Sequence, residues 1–401
     1  MKAYLFTAWG LSCLCTSCGQ RQPVAEVPAA AHPAPVPVAV PAAASNPLPA
    51  GLPAFSPAAF LYQEVAARAD TVLHQPGPAV HLSWQVRLDT LHYLTHVTPP
   101  DPAQNFVGDT SRGYQGYYTL ELHDSRGQRL GRHTFTKADF YPAVGPELAI
   151  SSGVSLPQLL GYSAPMQALV FTLNFTAPDT DWSCDAVLLL DLQGRMRRLK
   201  EGYVVGGPAV EVGLAHDGRT LLTGTEILRA GGASLPLQRP NAELRGALLL
   251  NDSLAVTVYE FGHYQPERTA EVILNKGFSV APAQLRQPNA FLLNTHTGQL
   301  ISSFRYNGFF EELGFTIPWQ RLPATHTGYF LDDKKGLYLV AENQPTRVSF
   351  RPFASLVKFK LPQRPSERVV MLHGHSKTYV LYIDTLASAS IRYQYERTAL
   401  D

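Results

Sequence analysis

Cysteine is almost absent from the body of this chain. Four occur in 401 residues, Cys13, Cys15, Cys18 and Cys184, so everything beyond the first eighteen residues has a single thiol and no partner within it for a disulfide. The fold must therefore be held by its apolar core, and Cys184 is read as a small buried hydrophobe rather than a nucleophile. A surplus of either charge is also missing: Lys plus Arg number 33 and Asp plus Glu 32. That balance argues against nucleic acid as a partner, because such binding needs a positive surface to replace phosphate counterions. It likewise leaves no polybasic patch for an anionic membrane. Long apolar runs are lacking. The N-terminal one, Ala3 to Leu14, is far shorter than the roughly 20 residues that span a bilayer. Beyond residue 70 no long stretch repeats its apolar residues at helical spacing.

What the N-terminus does contain is Lys2, the short apolar run, and then Leu14-Cys15-Thr16-Ser17-Cys18-Gly19, a sequence of small residues leading into a cysteine. The length fits the centre of a cleavable signal peptide. The segment resembles the export signal and lipid-attachment site of a bacterial lipoprotein, with Cys18 as acceptor. It departs from the usual pattern in placing Cys15 where Leu normally stands. The resemblance implies that residues 1–17 are removed, that the Cys18 thiol takes a diacylglyceryl group, and that the new amino group is acylated. An ordinary secretory signal cut elsewhere is the alternative. One acyl chain holds a protein only marginally, whereas several anchor it durably. Removing residues 1–17 takes away only Lys2 and leaves 32 charges of each sign. Gly19 is not the Asp that retains some lipoproteins at the inner membrane, and Gln20-Arg21-Gln22 lacks an acidic surface-export cluster. The expected location is the outer membrane, on its periplasmic face, with the membrane engaged through the N-terminal lipid.

Residues 18–55 form the next segment. From Arg21 to Phe55 the chain is built almost wholly of Pro, Ala and Val, with Glu26 its only charge after Arg21. Repeated proline blocks helix and sheet and favours extended polyproline II, so some thirty residues reach on the order of 100 Å. The composition fits a spacer. A docking site for a partner that reads proline-rich sequence is the rival reading.

Residues 56–401 carry the fold. Ser56-Pro57 resembles a helix start and predicts a short helix to about Ala67. After it the period is two. Val80, Leu82, Trp84, Val86 and Leu88 alternate with polar residues, and Leu169, Phe171, Leu173 and Phe175 repeat the pattern, as do Ile391, Tyr393 and Tyr395. Turn chemistry agrees. An Asp or Asn followed within a few residues by Gly separates apolar runs at Asp124–Gly127, Asp191–Gly194, Asp217–Gly218, Asn294–Gly298 and Asp332–Gly336; the first side chain caps the turn and the glycine supplies positive φ. VLLLDLQGRMRRL and AFLLNTHTGQLISSF resemble each other as hairpins, and VGLAHDGRTLLTGTEI resembles the inner strand pair of a β-propeller blade. The chain is expected to be all-β, a single propeller-like domain of antiparallel hairpins, with room for about seven blades. Two consecutive β-sandwiches are the alternative, their boundary near Gly202–Pro208. No strict repeat, WD dipeptide or kelch signature marks the blades.

Local motifs for chemistry are weak. His373-Gly374-His375 resembles the oxyanion segment of α/β-hydrolases and Gly161-Tyr162-Ser163-Ala164-Pro165 their nucleophile elbow. Their order along the chain is reversed, and neither has a strand-turn-helix setting. His92 and His96 have helical metal spacing, but in a strand that spacing places them about 13 Å apart. Asp179, Asp181 and Asp185 set oxygen ligands at alternate positions, the first place for a hard cation, although Cys184 and Leu190 stand where a calcium loop needs Gly and Glu. Turn capping explains the same aspartates. Gly206-Gly207 and Gly231-Gly232 lack the context of a phosphate loop. Tyr306, Phe309, Phe310 and Trp319, beside Glu311 and Glu312, suggest a loop platform for sugar or peptide, with core packing as the competing reading. No cofactor is implied. The function expected is a lipid-anchored binding or scaffold domain taking a protein, glycan or peptide. An envelope hydrolase acting on polysaccharide or peptide is the alternative, since carboxylates from separate strands can assemble a site without a local motif.

Overall fold

The strand at Val80–Thr98 shows how alternation becomes structure: Val80, Leu82, Trp84, Val86 and Leu88 are buried while His81, Gln85 and Arg87 are exposed. The computed structural model describes residues 66–73, 79–100, 108–268, 273–280, 282–311 and 314–397, with main chain alone for 264–268 and 273–277. The signal segment, Cys18, the proline-rich tract and Ser56-Pro57 lie outside the described residues. The helix expected to end at Ala67 is overtaken at its far end, since Ala66 and Ala67 already belong to the strand Ala66–Leu73, paired with Arg87 and Val86.

Six sheets, five of four strands and one of six, follow one another along the described chain. The first is Ala66–Leu73, Val80–Thr98, Asp109–Asp124 and Arg129–Thr136; the second is Gln158–Ser163, Ala168–Thr176, Ser183–Leu190 and Met196–Val204. The third, Gly213–Leu214 to Ser234–Pro236, contains as its first pair the hairpin singled out in the sequence. The fourth is Ala242–Leu249, Leu254–Arg268, Ala290–Asn294 and Leu300–Phe304. It is extended by Ala209–Val210 on one edge and by Ile273–Val280 against the far half of Leu254–Arg268. The fifth runs from Trp319–Leu322 to Val348–Pro352, and a small hairpin, Phe309–Glu311 with Gly314–Thr316, precedes it. In the sixth, Glu367–His373, Lys377–Asp384 and Ile391–Arg397 are antiparallel, and Val357–Lys358 lies parallel to Ile391–Arg397. The fold is all-β and propeller-like, as expected. Among the described residues six sheets of four or more strands form where about seven blades were expected, and strands of 19 and 16 residues in the first use more chain than a regular blade.

The turns are built as the sequence requires. Asp124 Oδ1 accepts from the amides of Arg126 and Gln128, and Asp191 Oδ1 from those of Gln193 and Arg195. Asn294 Oδ1 takes His296 and Thr297. Gly127, Gly194 and Gly298 complete these turns with φ of 78°, 80° and 76°, which only glycine adopts without strain.

Each sheet packs on the next. Trp84 of the first meets Phe171 of the second edge-on at 5.3 Å. Val170, Val187 and Leu189 pack on Leu221 and Leu228 of the third, whose other side joins Leu222 and Ile227 to Ala247 and Ala255 of the fourth. Leu292 and Val256 then meet Phe330 and Val340, and Tyr329 and Leu339 meet Leu372 and Leu381. Each such side chain, fully buried, contributes about 1.5–3 kcal/mol. With Cys184 buried and free, this serial core holds the domain. Ala168 to Phe171 are buried consecutively, because both faces of that strand are covered. At the other extreme, Tyr395 is 49% exposed, so the last strand's inward alternation ends before it.

The alternative of two sandwiches divided at Gly202–Pro208 is not what forms. The described residues make one compact unit. The Gly224 amide donates to the Glu201 carbonyl at 2.9 Å, and a Cβ on Gly224 would stand 2.0 Å from the Gly202 carbonyl oxygen. The second and third sheets thus touch main chain to main chain where a boundary would fall. Among the described residues no strand of the first sheet pairs with one of the sixth.

Two buried charges fix the ends of the series. Lys137, 0% exposed, follows the first sheet and donates from Nζ to the carbonyls of Ile150, at 2.9 Å, and Ser152, at the end of the short helix Pro146–Ser151. Burial pulls its ammonium down to about 7. Arg392 on the last strand pairs with Glu367 through Nε–Oε1 at 2.7 Å and Nη2–Oε2 at 2.5 Å. It also holds the carbonyls of Lys360 and Pro362, tying the crossing segment 359–366 to the sheet.

Candidate functional site

The strand Ala242–Leu249 enters the fourth sheet with Glu243 directly opposite Glu260 of Leu254–Arg268. Like charges facing each other across a ladder are unfavourable. A bulge between Leu244 and Gly246 admits Arg245, which resolves the repulsion: its Nη2 reaches Glu243 Oε2 at 2.8 Å, and its Nε donates to Glu260 Oε2 at 2.7 Å. The guanidinium also lies 5.0 Å from the centre of the Phe310 ring. Phe310, 51% exposed, is held edge-on by buried Phe315 at 5.2 Å, so the small hairpin before the fifth sheet delivers an aromatic face to an ion-paired arginine.

Glu243, Arg245, Phe310 and Phe315 line a cleft of about 850 Å³ formed by the second, third and fourth sheets and that hairpin. Glu201, on the last strand of the second sheet, lines it with Gly224. Burial raises its carboxyl above the ordinary glutamate value. Arg239 also lines the cleft and lies over the rings of Tyr259 and Phe291 at 4.5 and 4.6 Å. The arrangement combines one exposed aromatic face, cations backed by π systems and carboxylates on a half-open surface. Such a lining can stack on a sugar ring or an apolar side chain and hydrogen-bond to hydroxyls, amides or charged ends.

The structure separates the aromatic segment singled out from sequence. Tyr306 is 1% exposed and donates its hydroxyl to the Leu331 carbonyl at 3.0 Å, so it belongs to the core and offers no platform. Trp319 is half-buried, stacks on Phe330 at 5.6 Å and donates from Nε1 to Glu211 at 2.9 Å. Phe309 faces His375 edge-on at 5.9 Å. Only Phe310 of the four reaches the cleft; Glu312 lies outside the described residues.

Asp179 sits in a turn with φ of 57°, and Asp185 accepts from Asn174 Nδ2 at 2.9 Å. With Asp181 they lie among the described residues, where no group of three or more His, Cys, Asp or Glu side chains is gathered for a metal. His92 Nδ1 is 2.8 Å from Asp89, and His96 Nε2 is 3.7 Å from Glu147; each histidine has its own acidic neighbour. His373 Nδ1 lies 3.1 Å from the hydroxyl of Thr378 on the next strand. Ser163 is buried and donates to the Gly218 carbonyl at 2.5 Å, a turn tie rather than an exposed nucleophile. Burial pushes the Cys184 thiol up to about 12, which keeps it unreactive.

Arg239, Glu243, Arg245 and Glu260 escaped the sequence reading. Their one local sign is the charged start of AELRGALLL, and nothing in it says that a bulge will set Arg245 between two glutamates.

No protein-family model matches the chain, and no curated protein matches it. Among solved structures, apo AztD from Citrobacter koseri is similar at 12% identity over 77% of this chain and 70% of its own, with a TM-score of 0.29. The Dos1 propeller gives 10% identity over 71% and 65%, with a TM-score of 0.31. The β-propeller domain of the trilobed protease from Pyrococcus furiosus gives 10% over 85% of both chains, with a TM-score of 0.26. Scores of this size carry nothing about residues or chemistry; the propeller-like arrangement rests on the strand order itself.

Proposed function

We propose that this is a lipid-anchored protein of the bacterial envelope whose β domain binds a glycan or peptide in the cleft beside Phe310. The observation that carries the reading is the exposed Phe310 ring seated against the ion-paired Arg245 in a cleft of about 850 Å³. Ligands selected from glycan and peptide arrays, then titrated calorimetrically, provide the test. Phe310→Ala and Arg245→Ala are each expected to weaken binding about tenfold or more, as truncation of aromatic and arginine anchors does. Unchanged affinity in both variants would remove the cleft from the function.

A second reading, a hydrolase acting on polysaccharide or peptide, is favoured by Glu201, whose raised carboxyl suits a general acid. In that case Glu201→Gln abolishes turnover of the selected ligand while retaining its binding. A ligand recovered intact from the wild-type protein rejects the hydrolase.

The anchor is tested separately. Membrane-fractionated wild-type protein is expected to have the mass of residues 18–401 plus acyl chains, and Cys18→Ala to be neither processed nor lipidated. An unmodified mass in a soluble fraction would turn the reading to a freely secreted β protein.

A further inference from the structure

Between the second and third sheets lies another pocket, of about 420 Å³, whose lining includes Arg197, Arg198 and Arg229 and no Asp or Glu. Its buried lining is apolar: Ala168, Leu189 and Leu228 are each under 5% exposed and belong to the core that joins the two sheets. Two of the arginines come from Met196–Val204, an edge strand of the second sheet, and one from Glu226–Arg229, an inner strand of the third.

Lys200 pairs with Glu226, and Arg195 with Asp191 at 2.9 Å. The hydrogen bonds of the three pocket arginines go to main-chain carbonyls, and Arg198 lies within electrostatic reach of Glu226. Arg198 Nη2 donates to Gly232 at 3.1 Å and Arg229 Nη1 to His296 at 2.7 Å, while Arg197 Nη1 lies 3.4–3.5 Å from the carbonyls of Met166 and Gln167. Arg229 Nε is buried without a hydrogen-bond partner. A carbonyl orients a guanidinium without neutralising it as a bound oxyanion would, and a buried N–H without a partner favours a ligand that supplies one. Gly232, at φ 87°, allows this fit, since a Cβ there would stand 3.0 Å from Arg198 Nη2.

We infer that this pocket binds an organic phosphate or sulfate ester, its oxyanion held by Arg198, Arg229 and Arg197 and its apolar portion resting on Ala168, Leu189 and Leu228. Guanidinium groups suit such oxyanions because their N–H forks match the oxygen spacing. Two sources share this chemistry, a soluble ester and the headgroup of an anionic lipid. The site is independent of the cleft beside Phe310.

Calorimetry on the purified full chain with inorganic phosphate, phenyl phosphate and dihexanoyl phosphatidic acid tests the assignment. Phenyl phosphate is expected to bind more tightly than inorganic phosphate. Arg198→Gln and Arg229→Gln should each weaken it about tenfold or more, and Arg195→Gln should leave it unchanged. Tighter binding of the short-chain lipid at the same arginines assigns the source to a headgroup; tighter binding of phenyl phosphate assigns it to a soluble ester. Protection of Arg198 and Arg229 from phenylglyoxal by phenyl phosphate, read by mass spectrometry on the wild-type chain, makes the test independent of variant folding. Absence of binding by all three probes, absence of that protection, or undiminished affinity in both Arg198→Gln and Arg229→Gln would overturn the inference.

Discussion

Arg392→Met is expected to lower the urea midpoint of the domain by on the order of 1 M at neutral pH, because it leaves Glu367 charged and buried without its partner. Glu367 is 3% exposed and Arg392 9%. The variant loses both oxygen contacts of the pair and the two carbonyls that hold the crossing segment 359–366. Glu367→Leu combined with Arg392→Met should recover most of the loss, since replacing both ions spares the desolvation of each. Equal midpoints for wild type and Arg392→Met would show that the pair contributes nothing. The pair also gives an acid signature. The Arg392 guanidinium holds the Glu367 carboxyl down to about 2, against an ordinary 4.5. A depressed carboxyl stabilises above its unfolded value, so this contribution is complete above 4.5 and is lost as pH falls toward 2. In Glu367→Gln that part of the acid dependence should vanish.

Lys137→Met should remove a rise of stability with pH. The folded Lys137 amine releases its proton near 7, whereas the unfolded side chain keeps it to about 10.5. Over that range the unfolded state binds more protons, so stability increases with pH, at up to about 1.4 kcal/mol per pH unit. Below 7 both states are protonated and the cost of burying the ammonium is present in full. The useful window is pH 7 to 9, because Cys184 adds an opposite slope once the unfolded thiol ionises near 9. Urea unfolding across that window should give a rising wild-type stability and a flatter Lys137→Met. Parallel curves would show that Lys137 stays charged in the folded protein, held by the carbonyls of Ile150 and Ser152.

What sequence conveyed best was local. A period of two and Asp-to-Gly turn chemistry are dictated by neighbouring residues, so the all-β architecture and the turns at Gly127, Gly194 and Gly298 could be read directly. Burial could not. Tyr306 and Phe310 are both aromatic, four residues apart in one apolar segment, yet Tyr306 reaches the Leu331 carbonyl in the core and Phe310 faces the cleft. The difference arises from the small hairpin that carries Phe310 out of the core. The charged sites were less legible still. Arg245 acquires its neighbours through a bulge and a cross-strand register, and the arginine pocket joins residues from two sheets. Neither leaves a spacing in the chain. Short helices at Tyr141–Val144 and Pro146–Ser151 were also unforeseen, being too brief to show a 3.6-residue period, although Pro142 and Pro146 each stand at a helix start.

Among the described residues no ladder bond joins one sheet of the series to the next. An end sheet can open without breaking a ladder bond in any other, so cooperativity along the domain is carried by side-chain contact between successive sheets. Both the cleft beside Phe310 and the arginine pocket are built where such contacts join the second, third and fourth sheets.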